Sequence, residues 1–187
     1  IMAYTTIDNP ELYFQTKLYT GTGSAASITL DGDEDMQPDL VWFKKRSSVE
    51  SNYLYDAVRG VTKEIYTNSE SQESTDANSL TSFNSDGFSI GNANQLSENT
   101  ETMVAWCWKA NGSGSSNTDG SVNTIKTSAN TTSGFSIVHF DLSGESGEET
   151  VGHGLGVAPD FIFAKTGLDK SGNSIWWVYH KNLSSAS

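Results

Sequence analysis

The sequence predicts an all-β protein, an antiparallel β-sandwich followed by a partial second copy of the same module. Three observations carry that prediction. Apolar residues alternate with polar ones at a period of two, with Gly, Asn and Asp punctuating the runs. Helical spacing is nearly absent. A long segment also repeats without a gap at a shift of 121 residues. The composition agrees: Ser, Thr and Asn make up 60 of the 187 residues, which suits sheets with hydroxyl- and amide-covered outer faces. Five Trp, seven Tyr and eight Phe supply a thin aromatic core and argue against global disorder.

In chain order, residues 1–13 form an N-terminal arm, with a short helix expected around Pro10–Phe14. There Asp8 or Asn9 can cap and Pro10 takes the first helical position. The first sandwich module spans 14–110. Its strands are expected at 14–20, 26–30, 39–44, 53–56, 87–90 and 102–109. The last carries Val104, Trp106 and Trp108 on one face and Met103, Ala105 and Cys107 on the other, the mark of a central strand covered on both sides. Residues 67–82 lack an aromatic and read as a loop over the sandwich end. Residues 111–134 read as a Ser/Asn/Gly-rich linker or long loop. The incomplete second copy follows at 135–187, with strands expected at 135–140, 161–165 and 175–179.

The repeat aligns Phe14 to Asp39 with Phe135 to Asp160, pairing Gly23 with Gly144 and Thr29 with Thr150. It continues as Pro38-Asp39 before the apolar strand at Leu40, matched by Pro159-Asp160 before Phe161. Proline lacks an N–H, so it closes a loop and opens a strand but does not sit inside a ladder. After a loop three residues longer, Tyr55-Asp56 matches Tyr179-His180. Counterparts of the strands at 87–90 and 102–109 are missing from the second copy, which implies a longer native chain.

Charge and cysteine content exclude several function classes. A net charge of −12, with Lys44-Lys45-Arg46 as the one basic cluster, disfavours nucleic acid as a partner. A single cysteine, Cys107, precludes an intrachain disulfide framework. No apolar run reaches the roughly 18–20 residues of a membrane span, and Met2 to Asp8 has neither the basic nor the apolar region of a secretory signal.

Several segments resemble a module of tail-fibre and other virion proteins of marine bacteriophages, those of cyanobacteria and pelagic bacteria. They are residues 2–8, Gln37-Pro38-Asp39-Leu40-Val41-Trp42, Asp56 to Lys63, Ser82 to Gly91, Val104 to Ala110, and Val151-Gly152-His153-Gly154-Leu155-Gly156. The resemblance implies a concanavalin-like or jelly-roll sandwich and a virion structural or adsorption role, in a protein made in the host cytoplasm and exposed after lysis. The implied partners are other copies of itself, other virion proteins and host-surface glycan. A capsid decoration protein of purely mechanical role shares every one of these features, and a secreted lectin-like module is a third reading.

An enzyme is not expected. The Glu-x-Asp-x-x-Glu spacing of sandwich glycosidases is missing, and Glu145, Glu148 and Glu149 read as a solvated Gly/Ser hairpin. Cys107 between two tryptophans reads as a buried apolar residue rather than a nucleophile. No cofactor is called for, with calcium the one candidate ion. Asp31, Asp33 and Asp35 alternate in a turn that could gather oxygens for it, the competing reading being a solvated hairpin tip. His153, between two glycines, is expected to hydrogen-bond a backbone carbonyl. Trp176, Trp177 and Tyr179 are the candidate glycan or partner contacts, because adjacent strand residues point to opposite faces and one tryptophan must face outward. As a core residue, Trp106 is expected to cost about 3–5 kcal/mol on truncation to alanine.

Overall fold

The computed structural model describes residues 7–167 and 174–183. It is nearly all β and antiparallel. The strands are β1 (Phe14–Thr20), β2 (Ala26–Ile28), β3 (Leu40–Lys45), β4 (Asn52–Asp56), β5 (Lys63–Tyr66), β6 (Ser74–Thr75) and β7 (Leu80–Phe83). Then come β8 (Phe88–Ile90), a single helical turn α1 (Asn94–Ser97), β9 (Thr102–Trp108), β10 (Lys126–Asn130), β11 (Phe135–His139), β12 (Phe161–Lys165) and β13 (Trp176–His180). Residues 1–6 of the expected N-terminal arm lie outside the described residues, as do 168–173 and 184–187 of the expected second copy. Within the arm, Pro10–Leu12 form one 3-10 turn, capped by the Asn9 side chain accepting from the Glu11 N–H at 3.0 Å.

Two sheets build the sandwich. One has six strands in the order β1-β9-β3-β4-β5-β6, and the other has three in the order β2-β8-β7. The core between them contains Met36, Val41, Phe43, Tyr55, Leu80, Phe88, Leu96, Ala105 and Cys107. Phe43 meets Phe88 edge-on at 5.1 Å and Tyr55 at 5.7 Å, so one ring ties both sheets. Gly87 is forced by this closure. Its φ is +92°, and a Cβ there would lie 2.0 Å from the Ile28 carbonyl oxygen.

The strand β9 is central, as its two apolar faces predict. It lies between β1 and β3, with Phe14↔Trp108 through Thr20↔Thr102 on one side and Leu40↔Trp108 through Lys45↔Met103 on the other. Met103, Ala105 and Cys107 point into the core and are fully buried. Val104, Trp106 and Trp108 lie on the outer face, where Trp106 packs on Trp42 at 5.6 Å and Trp108 on Phe14 at 5.0 Å. Trp106 is therefore half-buried and outside the core cluster, which corrects its expected role.

The structure departs from expectation at three further places. Residues 67–82, expected as a loop, contain β6 and the start of β7. β5 was also missed, although Glu64 within it is buried at 4% exposure. Residues 111–134, expected as a linker, contain β10, which forms a hairpin with β11, and bury Val122, Thr124, Thr127 and Ser128. Around β5, β6 and β10 polar side chains are buried through hydrogen bonds, whereas β7 brings Leu80 into the core. Thr127 Oγ1 donates to Thr124 Oγ1 at 2.9 Å, and Ser128 Oγ accepts the Asn111 N–H at 2.8 Å. A hydropathy pattern does not register such packing.

The C-terminal hairpin repeats an earlier one. β12 pairs with β13 as Phe161↔His180, Ile162↔Tyr179 and Phe163↔Val178. β3 pairs with β4 as Leu40↔Asp56, Val41↔Tyr55 and Trp42↔Leu54. The shift is 121 on the first strand and 124 on the second throughout. Even the bond that closes each hairpin recurs: the Ala57 N–H reaches the Asp39 carbonyl, and the Lys181 N–H the Asp160 carbonyl, both at 2.8 Å.

Two substitutions separate core from outer face by chemical denaturation. Phe43→Ala is expected to cost about 3–5 kcal/mol, and Trp106→Ala about half of that because its ring is already partly in water. Equal losses would place Trp106 in the core after all.

Candidate functional site

The candidate surface is the β12–β13 ribbon, and its geometry follows from its sequence. On one face Phe161, Phe163, Lys165, Trp176 and His180 form a ladder. Phe163 lies 5.6 Å from Trp176, Phe161 6.5 Å from His180, and the Lys165 ammonium 5.1 Å from the Trp176 ring. Trp176 is the anchor: its indole N–H donates to the Tyr66 carbonyl at 2.9 Å, and it is half-buried. Lys165 Nζ also donates to the carbonyls of Ser69 and Ser174, and burial lowers its pKa against an opposing pull from Glu70. These bonds hold the ribbon to residues 66–70 of the first sandwich.

The other face is open. Trp177 and Tyr179 are 62% and 51% exposed, beside Ile162 at 45%. The alternation expected for adjacent strand residues therefore holds, with Trp176 turned inward and Trp177 outward. Phe161 and Val178 add 53% and 58% exposure on the first face. The ribbon is thus apolar and wet on both sides.

The acidic loop is not a gathered site. Asp31 pairs with Lys17, and the Asp33 N–H donates to a Glu11 carboxylate oxygen at 2.9 Å. Buried Gln15 pins the loop from within, accepting the Gly32 N–H at 3.0 Å and donating to the Glu34 carbonyl at 2.9 Å. The structure does not bring Asp31, Asp33 and Asp35 together, and among the described residues no three His, Cys, Asp or Glu side chains converge as for a metal ion. Glu149 accepts from the Ser121 hydroxyl at 2.6 Å in an exposed turn. His153 differs from expectation: its Nδ1 accepts the Leu155 N–H at 3.2 Å, so the ring serves as acceptor to the backbone.

Two buried carboxylates escaped sequence reasoning. Glu64 accepts from Tyr55 Oη at 2.7 Å, Ser74 Oγ at 2.8 Å, Tyr66 Oη at 3.2 Å and Gln95 Nε2 at 3.3 Å. Burial, with the Glu64 charge adding, raises the pKa of Tyr55. Asp39 is 1% exposed, and its Oδ2 accepts the N–H groups of Ala110 at 2.9 Å and Gly112 at 3.1 Å. Its own N–H donates to the Trp108 carbonyl at 2.8 Å, so Asp39 clasps the end of β9. The signal for it in the sequence is Pro38-Asp39, where the aspartate directly precedes β3. The residue that matches it in register, Asp160, is exposed and pairs instead with Lys181 at 2.7 Å.

The fold and this surface define an antiparallel β-sandwich with an appended apolar ribbon. Residues 9–187 match the model of the DUF7483 family, described as a domain of unknown function, and the chain belongs to that family. Searches of curated proteins and of solved structures found no match.

Cys107 gives a direct readout of the sandwich core. Burial pushes its thiol up to about 12. Since the folded value lies above the unfolded one, this group's contribution to stability is full below the ordinary thiol value and falls as pH rises from there to about 12. Iodoacetamide at pH 8.5 is expected to leave native Cys107 unmodified and to alkylate it fully in denaturant, as read by intact-mass spectrometry; rapid native labelling would mean the strand opens.

Proposed function

We propose that the chain is a structural subunit of a bacteriophage virion, of the tail-fibre or tail-associated kind, which works by assembly and not by catalysis. The observation that carries this reading is the β12–β13 ribbon. Two strands by themselves are marginal in water, and this pair exposes Phe161, Ile162, Trp177, Val178 and Tyr179 on its two faces. Contiguous exposed apolar surface of this kind marks an interaction site. The segments that resemble marine phage virion modules support the same reading, and repeated fibre subunits multiply weak contacts through symmetric assembly.

A glycan contact is the second reading, favoured by one feature. Trp177 and Tyr179 stand two residues apart on one open face, an aromatic pair suited to stacking on sugar rings. In this reading the subunit is held in the particle and touches the host surface through that face.

Mass spectrometry and immunogold labelling of purified particles from the source phage test the assignment. The expected result is the chain in stoichiometric amount on the tail or its fibres. Labelling of the head would favour a decoration role, and absence from purified virions would overturn the proposal. On a glycan array, Trp177→Ala is expected to abolish any signal that the unmodified chain gives.

A further inference from the structure

Every strand relation around β3 is reproduced around β12 except one. β3 has β4 on one edge and β9 on the other, whereas β12 has β13 on one edge and, among the described residues, no strand on the other. β1 and β11 make a second, independent comparison. Their first residues, Phe14 and Phe135, are 121 apart. The turns that lead into them also match, with the Asn9 side chain accepting the Glu11 N–H at 3.0 Å and the Asn130 side chain the Thr132 N–H at 3.1 Å. β1 is paired with β9; among the described residues β11 is paired only with β10. Both counterparts thus lack the same neighbour.

Asp160 says where that neighbour's end belongs. In the first sandwich, Asp39 takes the two N–H groups that follow β9, from Ala110 and Gly112. Asp160 stands at the same register position, keeps the same backbone bond to its hairpin, and has its carboxylate in solvent against Lys181.

We propose that the open edge of β12 is an acceptor for a β-strand of the Thr102–Trp108 pattern that lies outside residues 1–187, with Asp160 receiving the N–H groups just beyond that strand. An exposed edge supplies unpaired N–H and C=O groups for main-chain pairing, and alternating pockets set which side chains fit. A second copy of this chain does not provide the donor. Its β9 is locked between β1 and β3 with Met103, Ala105 and Cys107 at 0% exposure, and lending it would dismantle that core. The donor is a separate strand with small or apolar residues at alternate positions. The inference rests on pairing geometry alone and stands or falls independently of the virion reading.

A fluorescent peptide with the sequence of residues 102–112, added to the full chain under reducing conditions, tests it by polarisation. The peptide is expected to bind at one per chain. A scrambled peptide, or one carrying Ala105→Pro, is expected to bind at least about tenfold more weakly, because proline removes a ladder donor and disrupts its neighbours. Asp160→Ala in the protein is expected to weaken the 102–112 peptide by about tenfold while leaving a peptide ending at Lys109 unchanged. The absence of binding, equal binding of the scrambled peptide, or indifference of the longer peptide to Asp160→Ala would each overturn the proposal. So would sedimentation showing that the chain dimerises and that the peptide dissolves the dimer by competition, since the edge would then belong to a second copy.

Discussion

The buried Asp39 carboxylate and the strand it clasps are the constraint on which the first sandwich depends. β9 comes late in the chain, yet it separates β1 from β3, which both precede it in sequence. That arrangement requires a long return path and a device to hold the end of the returning strand. Asp39 is that device: its backbone bonds to the last residue of β9, and its carboxylate takes two amides just beyond it. A carboxylate at 1% exposure is tolerable because it is met by charge-assisted hydrogen bonds. The same clasp fixes where β9 ends, and with it which of its residues face the core.

From that register the remaining packing follows. With Cys107 opposite Val41 and Gln15, the odd-numbered residues of β9 face inward and the tryptophans outward. Inside, Phe43 and Phe88 join the sheets; outside, Trp42, Trp106, Trp108 and Phe14 make an aromatic cover that lies partly in water. Lys45 is drawn to the edge of the core at 2% side-chain exposure. Burial acts to lower its pKa, but Glu98 at 2.5 Å and Glu50 at 3.5 Å outweigh that and raise it. In the C-terminal hairpins the clasp has nothing to hold, and Asp160, Phe161 and Trp177 remain at the surface.

The strands that carry apolar residues in alternation or in a run were legible in the sequence, whether or not the fold buries them. β1 and β12 were expected with the bounds observed, and the two-sided apolar pattern of Thr102–Trp108 was enough to place it at the centre of a sheet. The hidden elements were those built from hydrogen bonds. Lys63–Tyr66 reads as a polar stretch until Glu64 is seen meeting Tyr55, Tyr66, Ser74 and Gln95. The hydroxyl-lined β10 looks like linker because Thr124, Thr127 and Ser128 satisfy one another and nearby backbone groups. Of the candidate surface, strand alternation required one of Trp176 and Trp177 to face outward without saying which. The anchoring of Trp176 on Tyr66 was not legible, because that bond joins positions 110 residues apart. The calcium expectation rested on alternating aspartates, and Lys17, Gln15 and Glu11 engage that loop in ways that spacing does not reveal.

Hydrogen exchange on the unliganded chain tests most directly whether one set of strands is closed and the other open. Amides of β3 and β9, which have neighbours on both edges, are expected to exchange only through global unfolding, while those of β12 exchange at least about a hundredfold faster, through local opening. Protection of β12 equal to that of β3 in the isolated chain would contradict it, since β12 would then already have the neighbour that its edge is argued to lack.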